Sequence, residues 1–212
     1  MLEGNSGNIF SVAIRACLRS EENTVVGDEP VISVIFSQVY LETFINEIIE
    51  TVPLFDASDG YNEIMILRGR RMSIKGKYDS VKLALSGQRY DGNAYPFRDF
   101  VSLVKLRNFI THMEPVRGDW SGWCDPTFLG YLETKNLLSI RQNDSWYQRI
   151  KTRKIARWAC QTAIDMCKSI ADAFPDGMDK DVVKSRVKHL DNSLNKRKTV
   201  TKQEPPEGSR TE

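Results

Sequence analysis

The sequence is poor in the residues from which metal and disulfide sites are built. It has two histidines, His112 and His189, and four cysteines, none of which forms a CxxC pair. A structural zinc site needs four such ligands at close spacing, so neither a metal nor another cofactor is expected. Thiols without a disulfide framework are typical of a reduced, cytoplasmic protein.

The sequence also lacks a long hydrophobic run and an excess of charge of one sign. Polar side chains interrupt its most apolar segment, residues 31–49, before the run reaches the roughly 18 residues that span a bilayer. Residues 1–12 lack the basic start and apolar core of a signal peptide, so we expect a cytoplasmic protein without a membrane segment. The net charge of +2 does not indicate a broad nucleic-acid-binding surface.

Common catalytic motifs are missing as well. No GxSxG, HExxH or GxGxxG pattern occurs, and "KGKY" lacks the spaced glycine and the Ser or Thr of a P-loop. A Ser-His-Asp triad would have to use His112 or His189, and His189 lies in a polar segment near the C-terminus.

Apolar residues recur at helical spacing along most of the chain, which predicts an all-α fold, a four- to five-helix up-and-down bundle. The strongest helix covers residues 31–52 and is apolar all round, as a buried central helix is. Proline and glycine bound the other predicted helices: residues 61–70, residues 78–86 with Gly87 as the stop, residues 96 to 113 or 114, and residues 144–174. Residues 117–131 are expected to be irregular.

Three segments follow from this pattern. Residues 1–29 are predicted as an N-terminal extension with a short helix or strand, residues 30–176 as the helical domain, and residues 177–212 as a basic tail, disordered or partly helical. Residues 184–202 hold seven Lys or Arg against one Asp, which is typical of a solvated helix or tail. An RNA-binding arm is the alternative interpretation.

One helix end, "LVKLRNFITHMEP" at residues 103–115, places an arginine on an apolar face. At about 100° per residue, Arg107 falls between Leu103 and Val104 on the helical wheel. An arginine in such a stripe is seldom buried without a partner. Arg107 is therefore expected to reach solvent, to pair with a carboxylate or to line a cleft.

Two more polar side chains lie on one edge of the same helix. Asn108 and His112 are four residues apart, and Lys105 is close by. Pro115 ends the helix, so His112 lies in the last turn, where the helix dipole favours a protonated imidazole.

These residue types fit metal-independent cleavage of RNA. In that reaction the ribose 2′-hydroxyl attacks the adjacent phosphorus, a histidine transfers the proton, and an arginine stabilises the phosphate oxygens. Structural roles fit the same types: Arg107 pairs with Glu42 or another carboxylate, Asn108 bonds a loop, and His112 caps backbone carbonyls.

The segment "LRNFITH" resembles the signature of the HEPN superfamily, in which a polar residue, often Asn, follows an Arg and a His comes shortly after. Here four residues separate Arg107 from His112. The upstream "VYLETFINEIIE", the approach "YPFRDFVSLVKLRN" and the downstream "ARWACQTAIDMCKSIADAF" also resemble helices of such domains. The likeness spans residues 30–174 and does not reach the basic tail.

This resemblance implies a HEPN-like bundle that acts as a metal-independent endoribonuclease, a toxin or phage-defence effector of the abortive-infection type. It implies a homodimer, because only one copy of the motif is present and a twofold axis would bring two copies together. An antitoxin or another protein partner is compatible with such a role. Other members of the superfamily keep only the fold, so the alternative is a non-catalytic module that binds RNA, nucleotide or a partner protein.

The resemblance also assigns roles to residues. Arg107 would stabilise the phosphate, Asn108 would bond the ribose-phosphate, His112 would transfer the proton, and Lys105 would bind the substrate. The buried helix adds Glu42 and Asn46, which would anchor Arg107.

Overall fold

A computed structural model describes residues 6–23, 26–51, 64–68, 71–112, 126–139, 145–176 and 178–195. Within these ranges the chain forms eight helices and no strand, which confirms the predicted all-α fold. In chain order the helices are α1 (Ser6–Glu22), α2 (Glu29–Thr51), α3 (Ile74–Ser86), α4 (Phe97–Thr111), α5 (Pro126–Thr134), α6 (Trp146–Arg149), α7 (Arg153–Ala173) and α8 (Met178–Asn195).

Helix α2 is the centre of the protein, as its all-round apolar composition predicts. It packs mainly against α1 and α7, and Val34, Leu41 and Ile45 are fully buried. By length and composition α2 could also cross a membrane, but 56% of its most apolar window is buried inside the protein. Packing against neighbouring helices therefore accounts for its composition.

Helix α1 belongs to the core, although residues 1–29 were expected to be an extension. Phe10 and Cys17 are fully buried, and the Phe10 ring stacks on Tyr40 of α2 at 4.4 Å between centroids. The Ser33 hydroxyl donates a hydrogen bond to the Ala13 carbonyl at 3.2 Å, which ties α2 to α1.

Helix α3 ends at Ser86, just before Gly87, the residue predicted to stop it. Gly87 adopts φ 69°, a left-handed conformation that costs a glycine little, and its N–H bonds the Leu83 carbonyl at 2.7 Å. At the other end the Ser73 hydroxyl accepts a hydrogen bond from the Gly76 N–H. Of the predicted helix at residues 61–70, only residues 64–68 are described, and Ile64 among them is fully buried.

The single helix predicted over residues 144–174 is divided into α6 and α7. Thr152 causes the break: its backbone is extended at φ −121° and ψ 147°, and its hydroxyl caps the Ile155 N–H at 3.1 Å. The same hydroxyl donates to the Leu137 carbonyl at 2.6 Å. This partner lies 15 residues away along the chain, so helical periodicity alone does not reveal it.

Part of the segment expected to be irregular is helical. Residues 126–134 form α5, because Phe128 and Leu132 lie one turn apart and both are buried. Asn136, with φ 54°, ends this stretch in the left-handed conformation that asparagine tolerates. Residues 117–125 lie outside the described residues.

Helix α8 packs on the bundle, so residues 178–195 are more than a solvated tail. Its basic residues Lys184 and Lys188 face solvent, while one turn after another contributes a buried apolar side chain: Val183, Val187, Leu190 and Leu194. Arg186 forms an ion pair with Glu47 of α2 at 2.9 Å. Residues 178–195 are thus the helical part of the tail that was predicted to be disordered or partly helical. Residues 196–212 lie outside the described residues.

Alkaline pH is expected to unfold the protein through buried acids that stay neutral in the folded state. Burial raises the pKa of the Cys167 thiol to about 12 and raises the pKa of Tyr40 and of Tyr78 well above its usual value. In the unfolded chain these groups ionise near pH 8.5 for the thiol and about pH 10 for the phenols. The unfolded state then binds fewer protons than the folded state, so stability falls as pH rises.

Urea unfolding under reducing conditions tests this expectation. The free energy of unfolding should be constant up to about pH 8 and should then fall by about 1.4 kcal/mol per pH unit for each titrating group. Cys167→Ala removes one such group, so its profile should decline less steeply between pH 9 and pH 11. A profile that is flat to pH 11 in the unmodified protein would contradict the assignment.

Candidate functional site

The predicted motif residues lie at the C-terminal end of α4. The helix starts after Pro96 and ends at Thr111, two or three residues earlier than predicted. His112 is its C-terminal cap, with φ −111° and ψ 24°, and the His112 N–H bonds the Asn108 carbonyl at 3.0 Å. Residues 113–125 lie outside the described residues, so the surroundings of His112 are described only on the helix side.

Arg107 is half-buried within the apolar face of α4, between Leu103 and Val104 on the helical wheel. Its neighbours Leu103 and Leu106 are almost completely buried. One Nη1 hydrogen is donated to Asn108 Oδ1 at 3.1 Å, and the buried Nε has no hydrogen-bond partner among the described residues. A guanidinium has five N–H donors, so Arg107 retains capacity for a further acceptor.

Asn108 and His112 are exposed on the same end of the helix, together with Lys105 one turn before Asn108. The Arg107–Asn108 hydrogen bond couples the apolar edge to this polar edge. The Thr111 hydroxyl donates a hydrogen bond to the Arg107 carbonyl at 3.0 Å. Arg107, Asn108 and His112 thus form one surface at the helix end.

Glu42 and Asn46 form hydrogen bonds with residues other than Arg107. Gln38 donates to the Glu42 carboxylate at 3.4 Å, and the Lys77 ammonium donates to Asn46 Oδ1 at 2.7 Å. In the described part of the chain no ion pair joins Arg107 to a carboxylate. Neither residue has the anchoring contact that the resemblance implies.

A polar cluster that sequence reasoning missed lies at the other end of α4. Asp99 is 2% exposed, and its Oδ2 accepts hydrogen bonds from Trp158 Nε1 at 2.8 Å and from Lys135 Nζ at 2.7 Å. The Tyr131 hydroxyl donates to its Oδ1. Three donors from α5, its following turn and α7 thus converge on one buried carboxylate.

The cluster raises the pKa of Tyr131 and of Lys135. Burial raises the pKa of Tyr131, and the hydrogen bond to Asp99 raises it further. Desolvation lowers the pKa of Lys135, but the hydrogen bonds to Asp99 and Tyr131 outweigh it, so the net shift is upward. Lys135 is therefore held as a cation beside the buried carboxylate.

A cavity of about 680 Å³ opens beside this cluster and is lined by Asp99, Lys135 and Trp158, among others. From Asp99 to His112 the helix advances 13 residues, or about 20 Å at 1.5 Å per residue. The cavity and the motif surface are therefore separate places at opposite ends of α4. Within the described residues, no group of three or more His, Cys, Asp or Glu could hold a metal ion.

The chain matches no protein-family model, no curated protein and no solved structure. The likeness to HEPN domains accordingly rests on the sequence segments quoted above alone.

Proposed function

We propose that the chain is a metal-independent endoribonuclease of HEPN type, a cytoplasmic toxin or phage-defence effector that acts as a homodimer. Its fold would be a HEPN-like bundle of four or five principal helices, with α2 as the central one and the shorter helices as additions. An antitoxin or other protein partner would restrain it.

The observation that carries this proposal is the state of Arg107. A half-buried guanidinium in an apolar stripe needs a reason to be there, and the described residues supply only an amide oxygen as its acceptor. No carboxylate in those ranges neutralises it, and the exposed His112 lies five residues later at the same helix end, about 1.4 turns away. A guanidinium with unused donors among the described residues and an imidazole at the same helix end suit phosphate chemistry.

The proposed reaction needs only these side chains. The ribose 2′-oxygen attacks the adjacent phosphorus and loses its proton to a base, while the bond from phosphorus to the 5′-oxygen breaks and that oxygen receives a proton. His112 of one protomer would accept the first proton, and the partner's His112 would donate the second. Arg107 would stabilise the charge on the phosphate oxygens and Asn108 would bond the ribose-phosphate. The products are a 2′,3′-cyclic phosphate and a 5′-hydroxyl.

Pairing of two chains around a twofold axis would complete the site. Such an interface uses the same patch on both protomers, so two copies of the α4 end would face each other across one cleft. Lys105 of each protomer would add positive charge to that cleft for the RNA backbone. This explains how a chain with a net charge of only +2 could hold RNA.

The alternative function is a non-catalytic HEPN-like module that binds RNA, nucleotide or a partner protein. One observation favours it: the cavity beside Asp99 is large enough for a small ligand and lies away from the motif surface. Such a module would leave RNA intact whatever the state of His112.

The proposal is tested by digesting mixed cellular RNA in excess EDTA over a range of protein concentrations. The expected result is cleavage whose specific activity rises as the protein dimerises, with a sedimentation mass about twice the 24.2 kDa of one chain. The Arg107→Ala variant should still fold and dimerise but should no longer cleave RNA. A folded dimer that leaves RNA intact would support the non-catalytic alternative. A specific activity that stays the same while the protein passes from monomer to dimer would contradict a composite site.

A further inference from the structure

The cavity at the N-terminal end of α4 combines a positive wall with an exposed aromatic ring. Its volume, about 680 Å³, lies within the range of pockets that bind small organic molecules. It is bounded by the start of α7, the turn after α5 and the residues just before α4.

The charges on the cavity wall do not cancel. Four basic and two acidic residues line it, which leaves a net charge of +2. The two acidic residues are already paired, Asp99 with Lys135 at 2.7 Å and Glu21 with Arg157 at 3.4 Å. The basic residues that remain are neighbours in the first turn of α7, Arg153 and Lys154.

These two side chains can hold an anion. Arg153 donates one Nη2 hydrogen bond to the Asn23 carbonyl at 2.5 Å and has no carboxylate partner within the described residues. Lys154 is exposed and likewise forms no ion pair in those ranges. Arginine and lysine side by side suit a phosphate group, because the guanidinium offers two parallel donors and the ammonium adds a point charge.

An aromatic side chain stands at the same cavity. Tyr95 is 59% exposed although its hydroxyl is fixed by a hydrogen bond to Asp165 of α7. The Lys135 ammonium lies 5.8 Å from the Tyr95 ring centroid and the hydrogen bond to Asp99 holds that lysine in turn. A large exposed ring held in place at a cavity is a stacking surface for a planar heterocycle.

We propose that this cavity binds a nucleoside monophosphate, with the phosphate held by Arg153 and Lys154 and the base stacked on Tyr95. The proposal does not depend on ribonuclease activity, because the cavity lies about 20 Å along α4 from His112. It gives a ligand class and named contacts to the cavity that favours the alternative function.

Calorimetric titration with the four ribonucleoside 5′-monophosphates tests the proposal, with adenosine and inorganic phosphate as comparators. At least one nucleotide should bind with Kd below about 1 mM, and both comparators should bind at least about tenfold more weakly because each lacks one of the two contacts. Lys154→Glu should weaken nucleotide binding by about tenfold or more. Lys75→Glu on α3 makes the same charge change at an exposed position outside the cavity and should bind as the unmodified protein does.

Three results would overturn the proposal: no nucleotide binds the unmodified protein below millimolar concentration, Lys154→Glu binds as well as Lys75→Glu, or inorganic phosphate binds as tightly as the nucleotide. His112→Ala separates the two proposals. A nucleotide affinity that is unchanged by His112→Ala supports a ligand in the cavity. A loss of nucleotide affinity would place the ligand at the surface formed by Arg107, Asn108 and His112 and would contradict its assignment to the cavity. Neither outcome depends on RNA cleavage.

Discussion

RNA cleavage by His112→Ala is expected to be at least about 10²-fold slower than by the unmodified protein, because general acid–base catalysis by one side chain contributes about 10²–10⁴. His112 is exposed at the end of α4, so its truncation should not disturb the core. The comparison is made in excess EDTA at saturating RNA, with folding verified by circular dichroism.

The second histidine of the chain provides the matched control. His189 is exposed on α8, and His189→Ala removes the same side chain at a place with no proposed role. Its cleavage rate should equal that of the unmodified protein. Equal losses in the two variants, or none in either, would show that His112 does not transfer the proton.

Removal of the Asp99 carboxylate is expected to cost about 3 kcal/mol of folding stability, because the buried N–H of Trp158 and the hydroxyl of Tyr131 both lose their acceptor. Trp158 is 8% exposed, so water does not readily replace the lost oxygen. The Lys135 side chain is 35% exposed and can reach solvent, which keeps the cost below that of a fully buried ion pair. For a chain of this size the loss corresponds to a fall in Tm of about 6–12 °C.

Asp176→Ala is the control for Asp99→Ala. Asp176 pairs with Lys180 at 2.8 Å, almost the same distance as Asp99 to Lys135, but its side chain is 99% exposed. Thermal unfolding of Asp176→Ala should match the unmodified protein, since surface ion pairs contribute little. A similar Tm for both variants would contradict the role assigned to the buried cluster.

Local signals in the sequence predicted the central helices well. Helix α2 is apolar all round, and Pro96 and Gly87 mark ends that nearby residues determine. Each of these features acts within one or two turns, which is the range over which periodicity and turn residues are informative.

Features that depend on distant partners were not predicted. Thr152 breaks the predicted helix through its extended backbone and its cap on Ile155. Its hydroxyl also bonds the Leu137 carbonyl, and no neighbouring residue in the chain marks that contact. In α8 the basic residues suggested a solvated segment, although Val183 and Val187 already show the one-turn spacing of a buried stripe.

The two ends of α4 illustrate the same limit for functional residues. Arg107 stands out on the wheel because a long cation interrupts an apolar stripe. Asp99 lies on the same stripe as Leu103 and Leu106, which follow it by four and seven residues. An acidic residue in the first turn of a helix is common, so its position alone does not indicate a buried cluster. Its partners Tyr131, Lys135 and Trp158 lie 32 to 59 residues away, so only the folded chain brings them together.

The proposed function requires that Arg107 and His112 cleave RNA through the ribose 2′-hydroxyl. The most direct test is digestion, in excess EDTA, of one RNA sequence prepared in two forms, unmodified and fully 2′-O-methylated. This mechanism predicts that the unmodified RNA is cut to fragments with 2′,3′-cyclic phosphate and 5′-hydroxyl ends, while the methylated RNA stays intact. Cleavage of both forms, or products that carry a 5′-phosphate, would contradict it.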